Sequence, residues 1–378
     1  MKEGWKYVKL GEVCEILDSR RKPITKSKRE TGNIPYYGAT GLLDYVKDFI
    51  FDEPLVLLGE DGAKWGAGEL SAYRINGKSW VNNHAHVLRP KRDITNDYWL
   101  IYFLNYSDLQ EYIMGVTVPK LNQEKMRSIT IPLLPLSEQE SIVARLDSSF
   151  AKIDAVKAKA EKSLDEAKAL FQSALTEMMK PKEGWEEKKL GEICDFVRGP
   201  FGGSLKKECF KNCGYAIYEQ QNAIYNKFTF RYFINEEKYQ SLIRFKVNSG
   251  DLIISCSGTI GKVAIVPENH KEGIINQALL KLTPRKVIKA FFLKYLMESN
   301  YFSKIINANT EGVAIKNIAS VAVLKKLPIP LPPLSEQESI VARLDAMSEK
   351  VKLLEAIYNK TVAECDALKQ AILREIFN

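Results

Sequence analysis

The 378-residue sequence has few of the features that mark membrane, secreted or metal-binding proteins. No window approaches 18 consecutive apolar residues, so no membrane span is expected, and the N-terminal stretch lacks the apolar run of a signal peptide. The six cysteines show no disulfide spacing, and Cys209 and Cys213 form a lone pair without a histidine nearby. We therefore expect a cytoplasmic protein that has neither disulfides nor a metal site.

Motifs for catalysis are also scarce. Ser257–Val263 (SGTIGKV) resembles the end of a phosphate-binding loop, but Cys256 and Val263 stand where the loop needs Gly and Ser or Thr. There is no G-x-S-x-G elbow, no glycine-rich dinucleotide loop and no evident nuclease carboxylate cluster. His84 and His86 alternate as on one strand face, but no third metal ligand is suitably spaced, which favours a structural or base-contacting role. The sequence therefore favours binding over catalysis.

What the sequence does contain is a long internal repeat. The thirteen residues PLSEQESIVARLD occur at Pro135–Asp147 and again, unchanged, at Pro333–Asp345, which is 198 positions later. KEGW at Lys2–Trp5 recurs at Lys182–Trp185 with an offset of 180. The chain is therefore predicted to hold two copies of one plan, the second with about 18 extra residues in its middle.

The repeated motif predicts the start of a long helix. Ser137 with Glu140 matches the capping box that satisfies free amide groups at a helix N-terminus, and so does Ser335 with Glu338. Helical periodicity then continues for more than 40 residues without glycine or proline. The predicted segments are a globular domain at 1–135, a helix at 136–180, a second globular domain at 181–333 and a C-terminal helix at 334–378.

The apolar residues of both helices recur at alternating spacings of four and three, which is typical of a coiled-coil seam. If the termini of the second domain lie close together, as is usual, the helices run antiparallel over about 66 Å. The predicted seam residues are Ile142, Leu146, Ile153, Val156 and Leu170 in the first helix and Ile340, Leu344, Val351, Leu354, Leu368 and Ile372 in the second.

Charge is distributed unevenly among these segments. The domains carry net charges of +2 (1–135) and +9 (181–334), whereas the helices carry −1 (136–180) and −2 (335–378). Basic domains on acidic helices suit a protein whose domains contact phosphate while its spacer does not. Because the second domain is longer and more basic, we expect it to carry most of the affinity for nucleic acid.

The order of these features resembles a known family. Two variable domains, each followed by I-P-L-x-P-L-S-E-Q-E-x-I-V-x-x-L-D and a long helix, are similar to the DNA specificity subunits of type I restriction–modification enzymes. The resemblance covers the whole chain. The segments that resemble target-recognition segments of the family are GEDGAKWG (Gly59–Gly66), WVNNHAHVLRP (Trp80–Pro90), GDLIISCSGTIGKVAIVP (Gly250–Pro267) and INQALLKL (Ile275–Leu282).

The resemblance implies two target recognition domains of α/β (α+β) type, joined by a long antiparallel two-helix coiled coil as a pseudo-two-fold internal repeat. Each domain would read one half of a two-part target in double-stranded DNA, while the helices set the gap and dock two methyltransferase (modification) subunits. Those partners would hold S-adenosylmethionine and methylate a flipped-out adenine, and restriction (translocase) subunits would add ATP- and Mg-dependent translocation and cleavage. The chain itself is expected to be a non-catalytic subunit without a cofactor or a membrane contact.

Residues that read bases need hydrogen-bond donors and acceptors, whereas phosphate contacts need positive charge. The candidate base-reading residues are Glu60, Asp61, Lys64, Asn82, Asn83, His84 and Lys120 in the first domain and Gln220, Gln221, Asn222, Ser257, Thr259, Lys262, Asn276, Gln277 and Lys316 in the second. The candidate phosphate contacts are Arg20, Arg21, Lys26, Lys206 and Lys207. For each residue, a structural role in a turn or cap is the alternative interpretation.

Two other functions compete with this one. The chain could be a non-enzymatic coiled-coil scaffold whose DNA binding is sequence-blind, and salt-sensitive binding without sequence preference would favour that interpretation. It could also be a self-contained methyltransferase or nuclease, which would be active when purified with S-adenosylmethionine or Mg²⁺ alone. The missing catalytic motifs argue against the latter.

Overall fold

The computed structural model describes residues 5–256, 259, 261–308 and 321–378, and it divides into two compact units. The first unit comprises Met1–Glu161 with Tyr358–Asn378, and the second comprises Lys162–Ile357. Each unit contains one globular part and a section of both long helices. Within the described ranges, no helix has the length and apolar character needed to cross a membrane.

The first globular part is built from short apolar runs that are separated by polar turns. Leu55–Gly59 is buried at every position, as expected for a central strand that is covered on both faces. The strands are β1 (Lys6–Lys9), β2 (Cys14–Ile16), β3 (Ile34–Gly38), β4 (Gly41–Val46), β5 (Phe51–Asp52), β6 (Leu55–Gly59), β7 (Ala72–Ile75), β8 (Lys78–Val81), β9 (Ala85–Pro90) and β10 (Thr130–Leu133). The helices are α1 (Leu10–Val13), α2 (Asp97–Tyr106), α3 (Gln123–Ser128) and the long α4 (Leu136–Met178), with 3₁₀ turns at Asp18–Arg20, Lys26–Lys28 and Gln110–Tyr112.

These strands form two four-stranded sheets and one strand pair. One sheet is antiparallel with the order β2-β9-β6-β7, and the other has the order β4-β3-β8-β5 with β3 and β8 parallel. β1 pairs antiparallel with β10, so that Lys6 lies opposite Leu133. Helix α2 contributes Trp99 and Leu100 to a core that also holds Leu146 of α4, which attaches the start of the long helix to the domain.

The second globular part has a similar set of elements. Its strands are β11 (Glu186–Lys189), β12 (Cys194–Arg198), β13 (Tyr215–Tyr218), β14 (Phe233–Ile234), β15 (Leu252–Ser255), β16 (Val263–Ile265), β17 (Gly273–Ile275), β18 (Leu279–Pro284) and β19 (Pro328–Leu331). Its helices are α5 (Leu190–Ile193), α6 (Gln220–Tyr225), α7 (Glu236–Ser241), α8 (Ala290–Glu298), α9 (Asn300–Ala308), α10 (Val321–Lys326) and α11 (Leu334–Phe377), with 3₁₀ turns at Gly202–Ser204, Lys207–Cys209 and Ile243–Phe245.

The sheets of the second part repeat those of the first. The order β12-β18-β15-β16 matches β2-β9-β6-β7, and β14-β13-β17 again contains one parallel pair, β13 with β17. Equivalent strands are offset by 180 residues at β1 and β11 and by 198 at β10 and β19. The predicted internal repeat and its α/β fold are therefore confirmed. Most of the extra residues lie between β13 and β15, where α6, β14 and α7 replace β4 and β5.

The two long helices, α4 with 43 residues and α11 with 44, pack against each other. In the first unit, Lys157 Nζ lies 2.9 Å from Asp366 Oδ1, and Lys369 Nζ lies 2.6 Å from Asp154 Oδ1. Residue numbers therefore rise along one helix as they fall along the other, which confirms the antiparallel direction. In the second unit, Lys168 Nζ lies 2.9 Å from Glu355 Oε1 on the same two helices.

The seam assignment needs correction at four positions. Val156, Leu170, Leu354 and Leu368 are exposed, whereas Leu146, Ile153, Ile340 and Leu344 are buried and Ile142, Val351 and Ile372 are half-buried. Beyond Ile153, the buried residues of α4 are Leu164 and Leu175, at successive intervals of eleven residues. A straight helix has 3.6 residues per turn, so a strict heptad pattern rotates by about 20° per repeat and misses the contact face after several repeats.

The serines of the two predicted capping boxes do not lie at the N-cap positions. Helix α4 begins at Leu136, and the Pro135 carbonyl accepts the first helical hydrogen bond, from Gln139 N at 3.1 Å. Helix α11 begins in the same way at Leu334 with the Pro333 carbonyl. The serine of each motif therefore lies inside the first turn and is not the N-cap residue.

Candidate DNA interface

A network of charged side chains lies beneath the surface of the first domain, where most of the predicted base-reading residues of that domain lie. His86 is fully buried on β9, with Nδ1 2.7 Å from Asp18 Oδ2 and Nε2 2.7 Å from the Leu121 carbonyl oxygen. Because a carbonyl only accepts, His86 Nε2 donates to Leu121. Asp18 Oδ1 also accepts a hydrogen bond from Val87 N at 2.8 Å. The network thus joins a 3₁₀ turn, a central strand and a distant loop.

Glu60 is the second carboxylate of this network. It pairs with the Arg21 guanidinium and with Lys120 Nζ, the latter at 2.7 Å. Burial alone would raise the pKa of the Glu60 carboxyl, but the hydrogen bonds from Lys120 and Arg21 lower it below its usual value. In the same way, burial opposes but His86, Val87 N and Arg21 outweigh it, so the pKa of Asp18 is lowered. Both carboxylates are therefore held in the charged form.

The same network contains a potential metal-ligand set. One ligand atom each from Asp18, Glu60 and His86 lies within 4.8 Å of the others. Arg21 and Lys120, however, already bind these carboxylates, and both His86 nitrogens have partners. A cation would have to displace an ammonium or guanidinium group, so the donor set fits a closed ion network better than a metal site.

Exposed polar groups surround this network. His84 lies in the turn before β9, and its Nδ1 bonds to Asp61 Oδ1. The Asp61 backbone forms a bridge with Lys120, so segments that are distant in sequence meet here. The two histidines therefore contact different carboxylates and do not act as a pair. Among the other predicted base readers, Asn83 and Lys64 are exposed, and Lys120 is half-buried.

Three predictions for the first domain are corrected by burial. Asn82 is 4% exposed, and its Oδ1 accepts from His84 N at 2.8 Å, which is a turn-stabilising role. Glu60 is 7% exposed and is engaged in the ion network. Arg21, predicted to contact phosphate, bonds to Glu60 and to the Ala85 carbonyl at 2.8 Å. Arg20 and Lys26 remain exposed, although Arg20 Nη2 donates to the Ile50 carbonyl at 2.8 Å.

A neighbouring hairpin was missed by the sequence analysis. Met114 and Lys120 exchange two backbone hydrogen bonds of 2.8 Å, and Gly115 turns the chain with φ +86°. At its tip, Val116 is fully exposed and Val118 is 68% exposed. The sequence signal for this hairpin was the alternation of Val116 and Val118 between a glycine and a proline. Exposed apolar side chains beside polar ones are suited to contact thymine methyl groups.

The second domain brings equivalent segments together. Asn276 corresponds to Asn82, because its backbone N donates to Tyr218 O at 2.9 Å and its Oδ1 accepts from Ala278 N at 3.0 Å. Gln277 beside it is exposed. With Glu219, these residues line a cavity of about 150 Å³ that also includes Phe201, whose side chain is 92% exposed. Arg231 forms two hydrogen bonds to Glu219 at this place, of 3.1 and 3.0 Å.

The remaining predicted residues of the second domain differ in exposure. Asn222 is fully buried and donates to the Lys227 and Thr229 carbonyls, at 2.7 and 3.1 Å, so its base-reading assignment is corrected to a structural one. Ser257 and Lys316 lie outside the described residues. The exposed candidates are Thr259, Lys262, Gln277, Lys206 and Lys207, and the half-buried ones are Gln220, Gln221 and Asn276.

Comparison with known proteins gives one consistent family. A family model for the type I restriction modification DNA specificity domain matches residues 2–164 and 182–361. A Haemophilus influenzae protein named for the specificity subunit of a type I restriction enzyme is 32% identical over 350 residues, covering 89% of this chain and 86% of its own. The MjaVIII type I specificity subunit of Methanocaldococcus jannaschii is 25% identical, covering 93% of this chain and 88% of its own.

Solved structures agree with this fold. A chain from a study of complex assembly and conformational transition in a type I R-M system aligns with a TM-score of 0.75, at 22% identity, over 100% of this chain and 98% of its own. The HsdS subunit of Thermoanaerobacter tengcongensis aligns with a TM-score of 0.54, at 22% identity, over 100% of this chain and 97% of its own.

Proposed function

The chain belongs to the type I restriction modification DNA specificity family, and from this premise we propose that it reads a two-part target in double-stranded DNA. Each globular domain reads one half of the target. The observation that carries this proposal is the repeat of one domain topology, each copy joined to a long helix through the same thirteen residues. Two similar reading domains on one chain require two half-sites separated by a gap.

The exposed groups of each domain supply the chemistry for reading. In the first domain, the exposed Asn83 and His84 and the half-buried Asp61 offer donors and acceptors, and Val116 is fully exposed at the hairpin tip. In the second, Gln277 stands beside the exposed Phe201. The side chains differ between the domains, so the two half-sites differ in sequence. The ion network under the first surface holds its loops in place and does not itself contact bases.

Catalysis is assigned to partner subunits. Two methyltransferase subunits, which carry S-adenosylmethionine, methylate a flipped-out adenine in each half-site, and restriction subunits add ATP- and Mg-dependent cleavage. The long helices carry exposed apolar residues, and docking of these partners would remove their apolar surface from water. These residues include Val156, Leu170, Leu354 and Leu368. The complex acts on DNA in the cytoplasm.

The proposal is tested by producing the chain together with a type I methyltransferase subunit from the same source and mapping methylated adenines in genomic DNA. The expected result is methylation confined to one two-part sequence with a constant gap. The chain without the methyltransferase should methylate nothing. Binding that is sensitive to salt but equal on all sequences would instead favour the sequence-blind scaffold.

A further inference from the structure

The repeated motif contains a buried glutamine that ties each long helix to its domain. Gln139, in the first turn of α4, is fully buried, and its Nε2 donates to the Leu134 and Ile94 carbonyls at 2.7 and 2.9 Å. Its Oε1 accepts from Asn96 N at 3.0 Å and from Thr95 Oγ1 at 3.3 Å. One side chain thus joins the helix start, the strand exit and the loop that leads into α2.

The second copy repeats this arrangement. Gln337 is also fully buried, and its Nε2 donates to the Pro332 and Val287 carbonyls at 2.9 and 3.0 Å. Its Oε1 accepts from Lys289 N at 2.8 Å, immediately before α8. Apart from the Thr95 hydroxyl, the partners are backbone groups in both copies, so the arrangement persists although the partner residues themselves differ. Loss of either amide would leave several buried polar groups without a partner.

A second contact lies eight residues further along each helix. Tyr102 of α2 donates its hydroxyl to Asp147 Oδ1, and Tyr295 of α8 donates to Asp345 Oδ1 at 2.6 Å. Eight residues correspond to about 12 Å along a helix. Leu146 and Leu344, at the same level, are buried in the domain cores. Each helix is therefore held to its domain at two separate points, which prevents the pivoting that one contact would allow.

We propose that each copy of the motif is a two-point clamp that sets the angle of its recognition domain on the helix, and thereby the accepted gap between half-sites. The proposal rests on the two-part target proposed above. A small change in this angle has a large effect on the gap. A rotation of ~10° about the clamp moves a reading surface that lies ~20 Å away by ~3.5 Å, which is about one base pair. Helix length alone would not define the gap if the domains could tilt.

The experiment compares methylation of synthetic targets whose gap is the native length, one base pair shorter or one longer. The wild-type complex with its methyltransferase subunits should prefer the native gap strongly. Gln139→Leu and Gln337→Leu, which remove the amide and keep a similar volume, should lower the ratio of native to altered gaps by about tenfold each. Tyr102→Phe, which removes only the second contact, should lower it less.

Leu57→Ala is the matched control, because Leu57 is fully buried in a separate core cluster of the first domain and touches neither contact point. It should reduce methylation on all three targets while the ratio stays unchanged. If the glutamine variants behave like this control, the glutamines are merely structural and the clamp proposal fails. If Gln139→Leu does not fold, an unchanged ratio in Tyr102→Phe and Asp147→Asn overturns the proposal.

The same data separate this proposal from the proposed function. A wild-type complex that methylates no two-part target would overturn the reading function itself. A wild type that selects the native gap, with variants that select it equally well, would overturn only the clamp.

Discussion

The two globular domains share one topology but hold their proposed reading surfaces in different ways. In the first, a buried network of Asp18, Arg21, Glu60 and His86 lies under the exposed polar groups. Among the described residues of the second, the buried charges are Lys281 on β18 and Asp251 just before β15, 3.1 Å apart. The surface ion pair of Arg231 and Glu219 lies beside the exposed residues. Where the domains differ is where they would read DNA.

The parts that are identical are those that attach the domains. The thirteen repeated residues make the same buried contacts in both copies, whereas the segment between the parallel strands changes from β4 and β5 to α6, β14 and α7. A modular DNA-binding protein needs a constant attachment between domain and helix and a variable binding surface. The contrast teaches that sequence identity within this chain marks the attachment of the domains, and that sequence divergence marks the surfaces proposed to read DNA.

The largest expected effect tests the contrast between buried and surface ion pairs. Arg21→Ala removes a cation whose side chain is 13% exposed and leaves two buried carboxylates undercompensated, so the free energy of unfolding should fall by about 3–5 kcal/mol. Arg231→Ala removes a cation that is 62% exposed and should cost less than about 1 kcal/mol. Urea unfolding followed by circular dichroism measures both.

Tryptophan fluorescence shows which domain loses stability. The first domain contains Trp5, Trp65, Trp80 and Trp99, whereas the second contains Trp185. Arg21→Ala should shift the main fluorescence transition to lower urea. Equal losses for both variants would show that burial does not distinguish the two networks.

Acid should weaken the first domain through the same network. The pKa values of Asp18 and Glu60 are lowered from 3.8 and 4.5, so their contribution is complete above those values and is lost as pH falls through the lower folded values. The fluorescence-detected urea midpoint should therefore begin to drop only below about pH 4.5, the upper of the two ordinary values. Asp18→Asn with Glu60→Gln should flatten this drop, and a drop as steep as that of the wild type would contradict the prediction.

The internal repeat and the two long helices could be predicted because local periodicity and exact repetition are visible in the sequence. Two helices of more than 40 residues and their antiparallel direction follow from spacing and chain connection. The failures lie where tertiary contact decides. Asp18 and His86 are distant in sequence, and no local pattern marks their meeting. Four predicted seam residues lie off the contact face because the helices have a period closer to 3.6 than to 3.5 residues per turn.

Individual reading residues were harder to predict for a physical reason. An asparagine in a turn looks the same in sequence whether its amide caps that turn or faces a partner. Asn82 and Asn222 cap their own segments, while Asn83 next to Asn82 is exposed. Only the fold separates such neighbours, so the sequence does not show which asparagine of a turn faces solvent.

A smaller effect is expected from single reading residues. Gln277→Ala should relax specificity at one position of one half-site and cost about 1–3 kcal/mol in binding, because a paired base edge loses its partner. Asn83→Ala should do the same in the other half-site only. Mapping the methylated sequence motifs measures both effects. Asn269→Ala, at another exposed residue, is the control. Relaxation in both halves from one variant would contradict the division of labour between the domains.

The smallest effect concerns phosphate contacts, which position the protein without specifying sequence. Replacing both Lys206 and Lys207 with glutamine should lower the salt slope of DNA binding by about two, since each lost phosphate contact removes ~0.9. Replacing Arg20 and Lys26 should lower it less, because Arg20 is already held by the Ile50 carbonyl and lies 3.6 Å from Glu53. Sequence preference should not change in either case.

The two slopes decide whether the second domain carries more of the affinity, as its net charge of +9 against +2 suggests. A net charge acts on DNA only through groups that are free to face it, and Arg20 and Arg21 show that nominal cations of the first domain are partly used internally. The double variant at Lys206 and Lys207 should therefore lower the salt slope more than the double variant at Arg20 and Lys26. Equal slopes from the two double variants, measured by fluorescence anisotropy across 50–200 mM salt, would contradict this.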